Sequence, residues 1–283
     1  MDEPFLGRAA LAAGELTRHA LRSRYRAVHR DVYLSNDVEL TALIRAKACW
    51  LRSRGHGVLA GYSAAAVHGT RWIDPGLPAT VIDDNRRRTP GIITWGSALT
   101  EDEVCTVDGI RLTTPARTAI DLARRYPLDT AVASIDALAR ATRTKVATIQ
   151  DAVHRYPGRH GTERALEVLS LVDPGAESPR ETALRLSVVR AGYPRPHTQV
   201  PVYNEYDVLI GRVDLGWPEQ KIALEYEGRH HRMSREQFDK DIRRFEEMIE
   251  LDWIVIRVTA ADTEATIHIR LADAWSRRVR AAS

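Results

Sequence analysis

The sequence predicts an α+β protein: a helical amino-terminal region with a small helix-and-strand element at its start, then a carboxy-terminal α/β sheet flanked by helices. Three observations lead there. Ala-rich segments with apolar residues at helical spacing fill much of residues 37–172. Past the break Asp173-Pro174-Gly175 the pattern changes to helix, strand, strand, helix, strand, an order that a short sheet covered by helices satisfies. The chain of 283 residues also exceeds the roughly 100–200 that one core usually serves. It is therefore expected to divide into residues 1–36, 37–172 and 173–283.

Residues 1–36 read as a reduced winged-helix-like segment. Residues 14–34 begin as a helix, with Thr17 as candidate N-cap, and end in the strand-like AVHRDVYL. Five arginines oppose one glutamate between residues 15 and 30. A helix and a basic strand in this order form the tail of a winged helix that meets phosphate. The alternative is a basic solvated face packed on the next domain.

Residues 37–172 read as mostly helical. Residues 42–54 and 63–69 are Ala-rich helices, and short strands at 80–83 and 91–95 flank a loop holding Arg86, Arg87 and Arg88. Asp108-Gly109 is a hairpin turn. Thr114-Pro115 opens a helix, with a capping hydroxyl and proline at the first helical position. Ile120, Ala123, Val132, Ile135 and Leu138 are its core candidates. No catalytic constellation stands out in this stretch.

In the carboxy-terminal part, Ser178-Pro179-Arg180-Glu181 is a capping box opening a helix that stops at Gly192. An extended HTQVPVY follows, then strands at 209–215 and 221–227 joined by a Trp-Pro-Glu-Gln turn. Ser234 caps a helix to about Leu251, whose stripe Phe238, Ile242, Phe245 and Ile249 has core spacing. The strand at 253–258 is apolar enough to be central.

Strand 221–227 carries the chemistry. Side chains alternate across a strand, so Ile222, Leu224 and Tyr226 share one face, while Ala223, Glu225 and Glu227 share the other. The two glutamates stand about 7 Å apart by the strand rise, and the hairpin brings Asp214 beside Glu225. Carboxylates at the end of an apolar sheet repel and are costly to desolvate unpaired. Mg²⁺ or Mn²⁺, which prefer oxygen ligands, would offset that cost. The chemistry that follows is phosphodiester hydrolysis by a metal-activated water. A solvated sheet edge is the alternative, with Arg212 as cross-strand partner of Asp214. For Glu181 the capping box is a sufficient explanation by itself, and Glu177 is a looser alternative there. An i,i+3 surface ion pair would explain Asp241 and Arg244.

Composition narrows the classes. The protein is 44% hydrophobic and 28% charged with formal charge +3, a mild lean toward polyanions. Only four of its 41 basic residues are lysines, so single arginines carry little signal and only clusters count. No apolar run approaches the roughly 20 residues of a membrane span. The first residues do not read as a secretory signal. Cys49 and Cys105 form neither a disulfide framework nor a zinc pattern. A cytoplasmic location is expected.

The segments ESPRETALRL, GRVDLGW, ALEYEGRHHR, DKDIRRFEEM and LDWIVIRVT, in one unbroken order, closely resemble the very-short-patch-repair-like endonuclease superfamily of the PD-(D/E)XK class. The resemblance implies a restriction-endonuclease-like sheet in which Asp214 and Glu225 bind metal and Glu227 completes the acidic strand. It implies that His231 (or His230) touches phosphate or relays a proton, and that Asp241 and Arg244 close the site. Glu181 would be the helix-borne acid. Two positions depart from the pattern: Glu227 stands where the class has lysine, and Asp252 where glycine is usual. Residues 1–172 resemble the amino-terminal region of AbiEi-type antitoxins from toxin–antitoxin systems, through LTRHALRSRYRAVHRDVYL, GYSAAAVHG and VDGIRLTTPARTAIDLA. That likeness implies DNA binding and a toxin partner. The expected function is a Mg²⁺- or Mn²⁺-dependent endodeoxyribonuclease of repair or defence, with a non-catalytic DNA-binding regulator as the alternative.

Overall fold

The computed structural model of the protein describes residues 2–155, 160–227 and 235–282. It is a mixed α+β structure that divides into two compact units, Met1–Pro174 and Gly175–Ser283. Among the described residues no helix is long and apolar enough to cross a membrane.

The first unit opens with β1 (Phe5–Leu6), α1 (Gly7–Ala12), α2 (Arg18–Arg24), β2 (Tyr25–His29) and β3 (Val32–Ser35). The Thr17 hydroxyl caps α2 by accepting from the Ala20 amide at 3.1 Å. The segment AVHRDVYL is not one strand: it folds back at Arg30-Asp31, with Asp31 at φ 67°, so that β2 and β3 pair antiparallel with β1 on the far side. Arg26 of the basic run donates to the carbonyls of Ser35 and Asn36, which makes it a brace for the following loop.

Next come α3 (Ala42–Arg52), β4 (Val58–Leu59), α4 (Gly61–Val67), β5 (Ala79–Ile82), β6 (Ile92–Trp95), β7 (Val104–Val107) and β8 (Ile110–Thr113). Helices α5 (Pro115–Arg125), α6 (Leu128–Thr142), α7 (Val146–His154) and α8 (Thr162–Leu171) complete the unit. Helices make up most of the regular structure here, as expected, and they pack around a five-stranded mixed sheet, ordered β6-β5-β4-β8-β7, of which only the strands near 80–83 and 91–95 and the hairpin at Asp108-Gly109 were expected. Its strands are only two to four residues long, and β5 is buried along its whole length. They therefore lack the alternation that announces a half-buried strand. The Asp108-Gly109 turn lies between β7 and β8, both residues at positive φ, as a two-residue hairpin requires. Ile120, Ala123, Val132, Ile135 and Leu138 are all buried. Thr114 caps α5 through the Arg117 amide. Thr114→Ala should therefore cost about 1 kcal/mol, read as a lower urea midpoint at unchanged slope.

The second unit comprises α9 (Pro179–Arg190), β9 (His197–Tyr203), β10 (Leu209–Trp217), β11 (Ile222–Glu227), α10 (Arg235–Glu250), β12 (Ile254–Thr259) and α11 (Glu264–Ala282). The sheet order is β12-β11-β10-β9, antiparallel except for the β11–β12 pair that α10 connects. One face buries Leu215, Ile222, Leu224, Ile256 and Val258 against Leu184 and Val188 of α9 and Ile267 and Leu271 of α11. The other buries Val200, Val202, Val213 and Ala223 under Met248 of α10. The expected alternation along β11 holds. Strand β12 is an edge strand of this sheet, contrary to the central place expected of it. It reads as central because both of its faces are covered, Ile256 and Val258 on one side and Val255 on the other. The expected stripe on α10 is also corrected. Ile242 and Ile249 are exposed, and Asp241, Arg244, Phe245 and Met248 turn inward; Ser234 and the side chain of Phe238 lie outside what is described.

Candidate functional site

The ladder between β10 and β11 runs through Trp217↔Ile222, Gly216↔Ala223 and Leu215↔Leu224, and stops there. One residue further, the Asp214 carboxylate takes over the pairing: its Oδ2 accepts from the Tyr226 amide at 2.7 Å. The two strands fork at this acid, and Glu225 lies beside the fork. Asp214 is held by the Tyr226 amide, and Arg212, its expected partner, is exposed.

Glu181 approaches from α9. Ser178 caps the helix by accepting from the Glu181 amide at 3.3 Å and donates to Glu181 Oε1 at 2.9 Å. Glu181 Oε2 accepts from the Glu177 amide at 2.7 Å. Half of the expected capping box forms: Ser178 caps the Glu181 amide, but the Glu181 carboxylate reaches the Glu177 amide and the Ser178 hydroxyl instead of the Ser178 amide, and these bonds fix the buried acid. Gln199 Nε2 donates to Glu181 Oε2 at 3.5 Å, and the same amide lies close enough to Asp214 to favour its charged form. Gln199 stands at φ 51° in β9, a backbone conformation that non-glycine residues seldom take.

Arg244 closes the site from α10. Its guanidinium forks onto Glu225, Nη1 to Oε1 at 3.1 Å and Nη2 to Oε2 at 3.1 Å, and meets Asp241 Oδ1 at 3.0 Å. Its stem crosses β10 over Gly211, where an added Cβ would lie 2.8 Å from Arg244 Cδ. Glycine is what permits the approach. Arg257, opposite Glu225 on β12, pairs with Glu227 and reaches Asp241 Oδ2 at 3.3 Å. The structure thus brings together Glu181, Asp214, Glu225, Glu227, Asp241 and Arg244, all expected, and adds Gln199 and Arg257. His230 and His231 lie outside the described residues. Asp252 occupies a left-handed position at φ 65° and pairs with Arg278.

Burial raises the Glu181, Asp214 and Glu225 carboxyls above their ordinary range. The acids also act on one another, Asp214 on Glu181 and on Glu225. Arg244 partly offsets the effect at Asp214 and Glu225. The folded protein therefore holds protons at these acids that the unfolded chain has already released. That contribution to stability is present at low pH and is lost as pH rises through the raised values. The thermal midpoint should rise as pH falls from 7 toward the upper edge of the carboxylate range. Asp214→Asn combined with Glu225→Gln should flatten that rise.

The donor set is all carboxylate, the chemistry that suits a hard divalent ion. Five acids face two guanidiniums here, an excess of negative charge. Among the described residues, however, no three such side chains already meet at metal-binding spacing. Glu225 and Glu227 are matched with arginines instead.

The strands β4 to β8 and the helices around them coincide with a known module. Residues 57–171 match the AbiEi antitoxin C-terminal domain. This corrects the expected likeness to the antitoxin's amino-terminal region: the match runs from just before β4 to the end of α8, and residues 2–56 precede it. Inside this AbiEi-like domain, Arg117 of α5 lies buried between Glu103, 3.0 Å from its Nη1, and Asp121, 3.0 Å from its Nε. The sequence reading passed over this group, which ties the Glu101–Glu103 turn before β7 to α5. An i,i+4 Arg-Asp pair in the capped first turns of α5 was its one local signal. Two proteins of Mycobacterium tuberculosis are similar over both units: "Uncharacterized protein MT2308" of strain CDC 1551 / Oshkosh and "Uncharacterized protein Rv2248" of strain H37Rv. Each is 29% identical over 242 residues, 82% of this chain and 84% of the relative. An alignment of that length exceeds either unit alone, so the likeness extends into both.

Proposed function

We propose that the second unit is a Mg²⁺- or Mn²⁺-dependent endodeoxyribonuclease, related to the very-short-patch-repair-like enzymes and acting in DNA repair or defence. The observation that carries the reading is the fork at Asp214: a carboxylate replaces a main-chain ladder partner beside buried Glu225 and Glu181. Structural ion pairing does not require three mutually repelling, half-desolvated acids at one sheet end, whereas a cation site does. Asp214 and Glu225, with Glu181, would hold the ion. When bound, the ion would supply charge neutralisation at phosphate and a bound water of lowered pKa. Gln199 orients Glu181 and Asp214. Asp241 positions Arg244, which must leave Glu225 for that carboxylate to become a ligand and is then free to meet a phosphate oxygen. The AbiEi-like domain supports a second part of the proposal, a toxin protein as partner. The two free cysteines, Cys49 buried and Cys105 half-buried, suit the reducing cytoplasm this reading assumes.

A second reading is favoured by one observation. Glu227 stands where the nuclease class has lysine, and both it and Glu225 are charge-matched by Arg257 and Arg244. On that reading the protein is a DNA-binding regulator of the antitoxin kind that has lost catalysis. Incubating the protein with duplex and single-stranded DNA and Mn²⁺ separates the two. Cleavage that EDTA abolishes supports the nuclease. A salt-sensitive gel shift without cleavage, unchanged by alanine at Asp214, Glu225 and Glu227, supports the regulator.

A further inference from the structure

The AbiEi-bearing first unit holds a second concentration of charge, of the opposite sign. Two clefts of about 210 Å³ each open on it and share Arg52 and Arg54 as walls. Arg87, on the loop between β5 and β6, lines the first cleft; Arg8, in the first turn of α1, and Arg30, in the β2–β3 turn, line the second. Segments far apart in sequence thus bring five arginines to the walls of these clefts, Arg52 half-buried and the other four exposed.

Two carboxylates, Asp31 and Asp83, lie among them. One oxygen of each is engaged locally: Asp31 Oδ1 accepts from the Arg8 amide at 3.0 Å, and Asp83 Oδ1 from the Asn85 amide at 2.8 Å. Among the described residues none of the five guanidiniums makes an ion pair or side-chain hydrogen bond, and Arg52 Nε is buried without an acceptor. A buried N–H without a partner costs about 1–3 kcal/mol and calls for an explanation. The carboxyl end of the α3 dipole favours one cation nearby. It accounts for Arg52, and gives no reason for Arg8, Arg30 and Arg87 to line these clefts. Arg54 is set there by a left-handed backbone at φ 56°, which a non-glycine residue adopts at a cost.

We propose that a diphosphate group binds where these clefts meet, held by Arg52 and Arg54 on the wall they share. Guanidinium forks match phosphate oxygens in pairs. The excess of guanidiniums over carboxylates suits a doubly anionic group. Each cleft is smaller than the roughly 300 Å³ at which drug-sized ligand pockets begin, so the phosphates sit inside and any group attached to them extends outward. The diphosphate could be free or the head of a nucleotide. This site lies in the first unit and is independent of the acidic site in the second.

Calorimetric titration of the full chain with pyrophosphate, ADP, inorganic phosphate and a short DNA duplex, at matched ionic strength, tests the assignment. Pyrophosphate should bind saturably, at least tenfold tighter than phosphate. Arg52→Gln and the exposed Arg54→Gln should each weaken it at least tenfold, and Arg111→Gln on β8 should not. Binding of ADP as tight as pyrophosphate points to a nucleotide; pyrophosphate alone points to the free anion. Equal affinity for pyrophosphate and phosphate, indifference to both arginine variants, or binding of duplex alone would overturn the proposal. The last result would assign the clefts to a nucleic-acid backbone. Circular dichroism of Arg54→Gln excludes unfolding as the cause of a loss.

Discussion

Arg117→Ala is expected to destabilise the AbiEi-like domain by about 3–5 kcal/mol, the usual cost of breaking a buried ion pair from one side. Such a loss is a large fraction of the stability of an ordinary domain. Asp121 is buried and would lose the only cation within 4 Å of it among the described residues. Glu103 would lose a contact at 3.0 Å. Burial already raises the Asp121 carboxyl and Arg117 holds it down, so removing the guanidinium drives it further toward the neutral acid. The defect should therefore shrink as pH falls, because a protonated Asp121 no longer carries an unmatched charge. Urea unfolding at pH 7 and pH 5 measures both effects. The exposed Arg111→Ala should change stability by no more than about 0.5 kcal/mol. A loss at Arg117 as small as that, or one that grows in acid, would show that the triad does not hold the domain together.

Asp214→Ala and Glu225→Ala should each lower the rate of DNA cleavage by about 10²–10³-fold or more, the scale of removing one electrostatic stabiliser from an active site. Neither variant should unfold the protein, since each removes a carboxylate that burial disfavours. At pH 7 the melting point of Glu225→Ala should be unchanged or higher, and that of Asp214→Ala, which also takes the acceptor from the Tyr226 amide, should stay close to the parent's. That combination, a lost rate with retained or improved stability, is the signature of a group kept for function at a cost to the fold. Gln199→Leu, which frees Glu181 and Asp214 from their shared amide, should lower the rate less than either acid variant. Equal cleavage in Asp214→Ala and the parent would remove the second unit from the chemistry.

The parts legible in the sequence are those set by local rules. Thr17, Thr114 and Ser178 cap helices because a hydroxyl before a helical run satisfies the first free amides. Asp108-Gly109 turns the chain because both residues tolerate positive φ. The alternation along β11 assigned Leu224 and Glu225 to opposite faces, as the two cores confirm. What escaped depends on tertiary register. Arg257 faces Glu225 only because β12 pairs in parallel with β11 at that register, and Gln199 reaches two acids only through its unusual backbone. The inner face of α10 was misread because apolar spacing presumes an apolar docking surface. This helix sets Met248 against the core, Arg244 against Glu225 and Asp241 against Arg257, so Ile242 and Ile249 are left outside. The two-residue strand β4 is too short for any period, and without it the expected strands near 80–83 and 91–95 could not be joined to the Asp108-Gly109 hairpin in one sheet.

The acidic fork is the centre of the functional account, and manganese calorimetry on the full chain at pH 7 tests it most directly. Mn²⁺ should bind with a stoichiometry near one and at least about tenfold more weakly after Asp214→Ala. Absence of Mn²⁺ heat in the folded parent, or identical binding in Asp214→Ala, would contradict it and leave the arginine-matched acids as architecture.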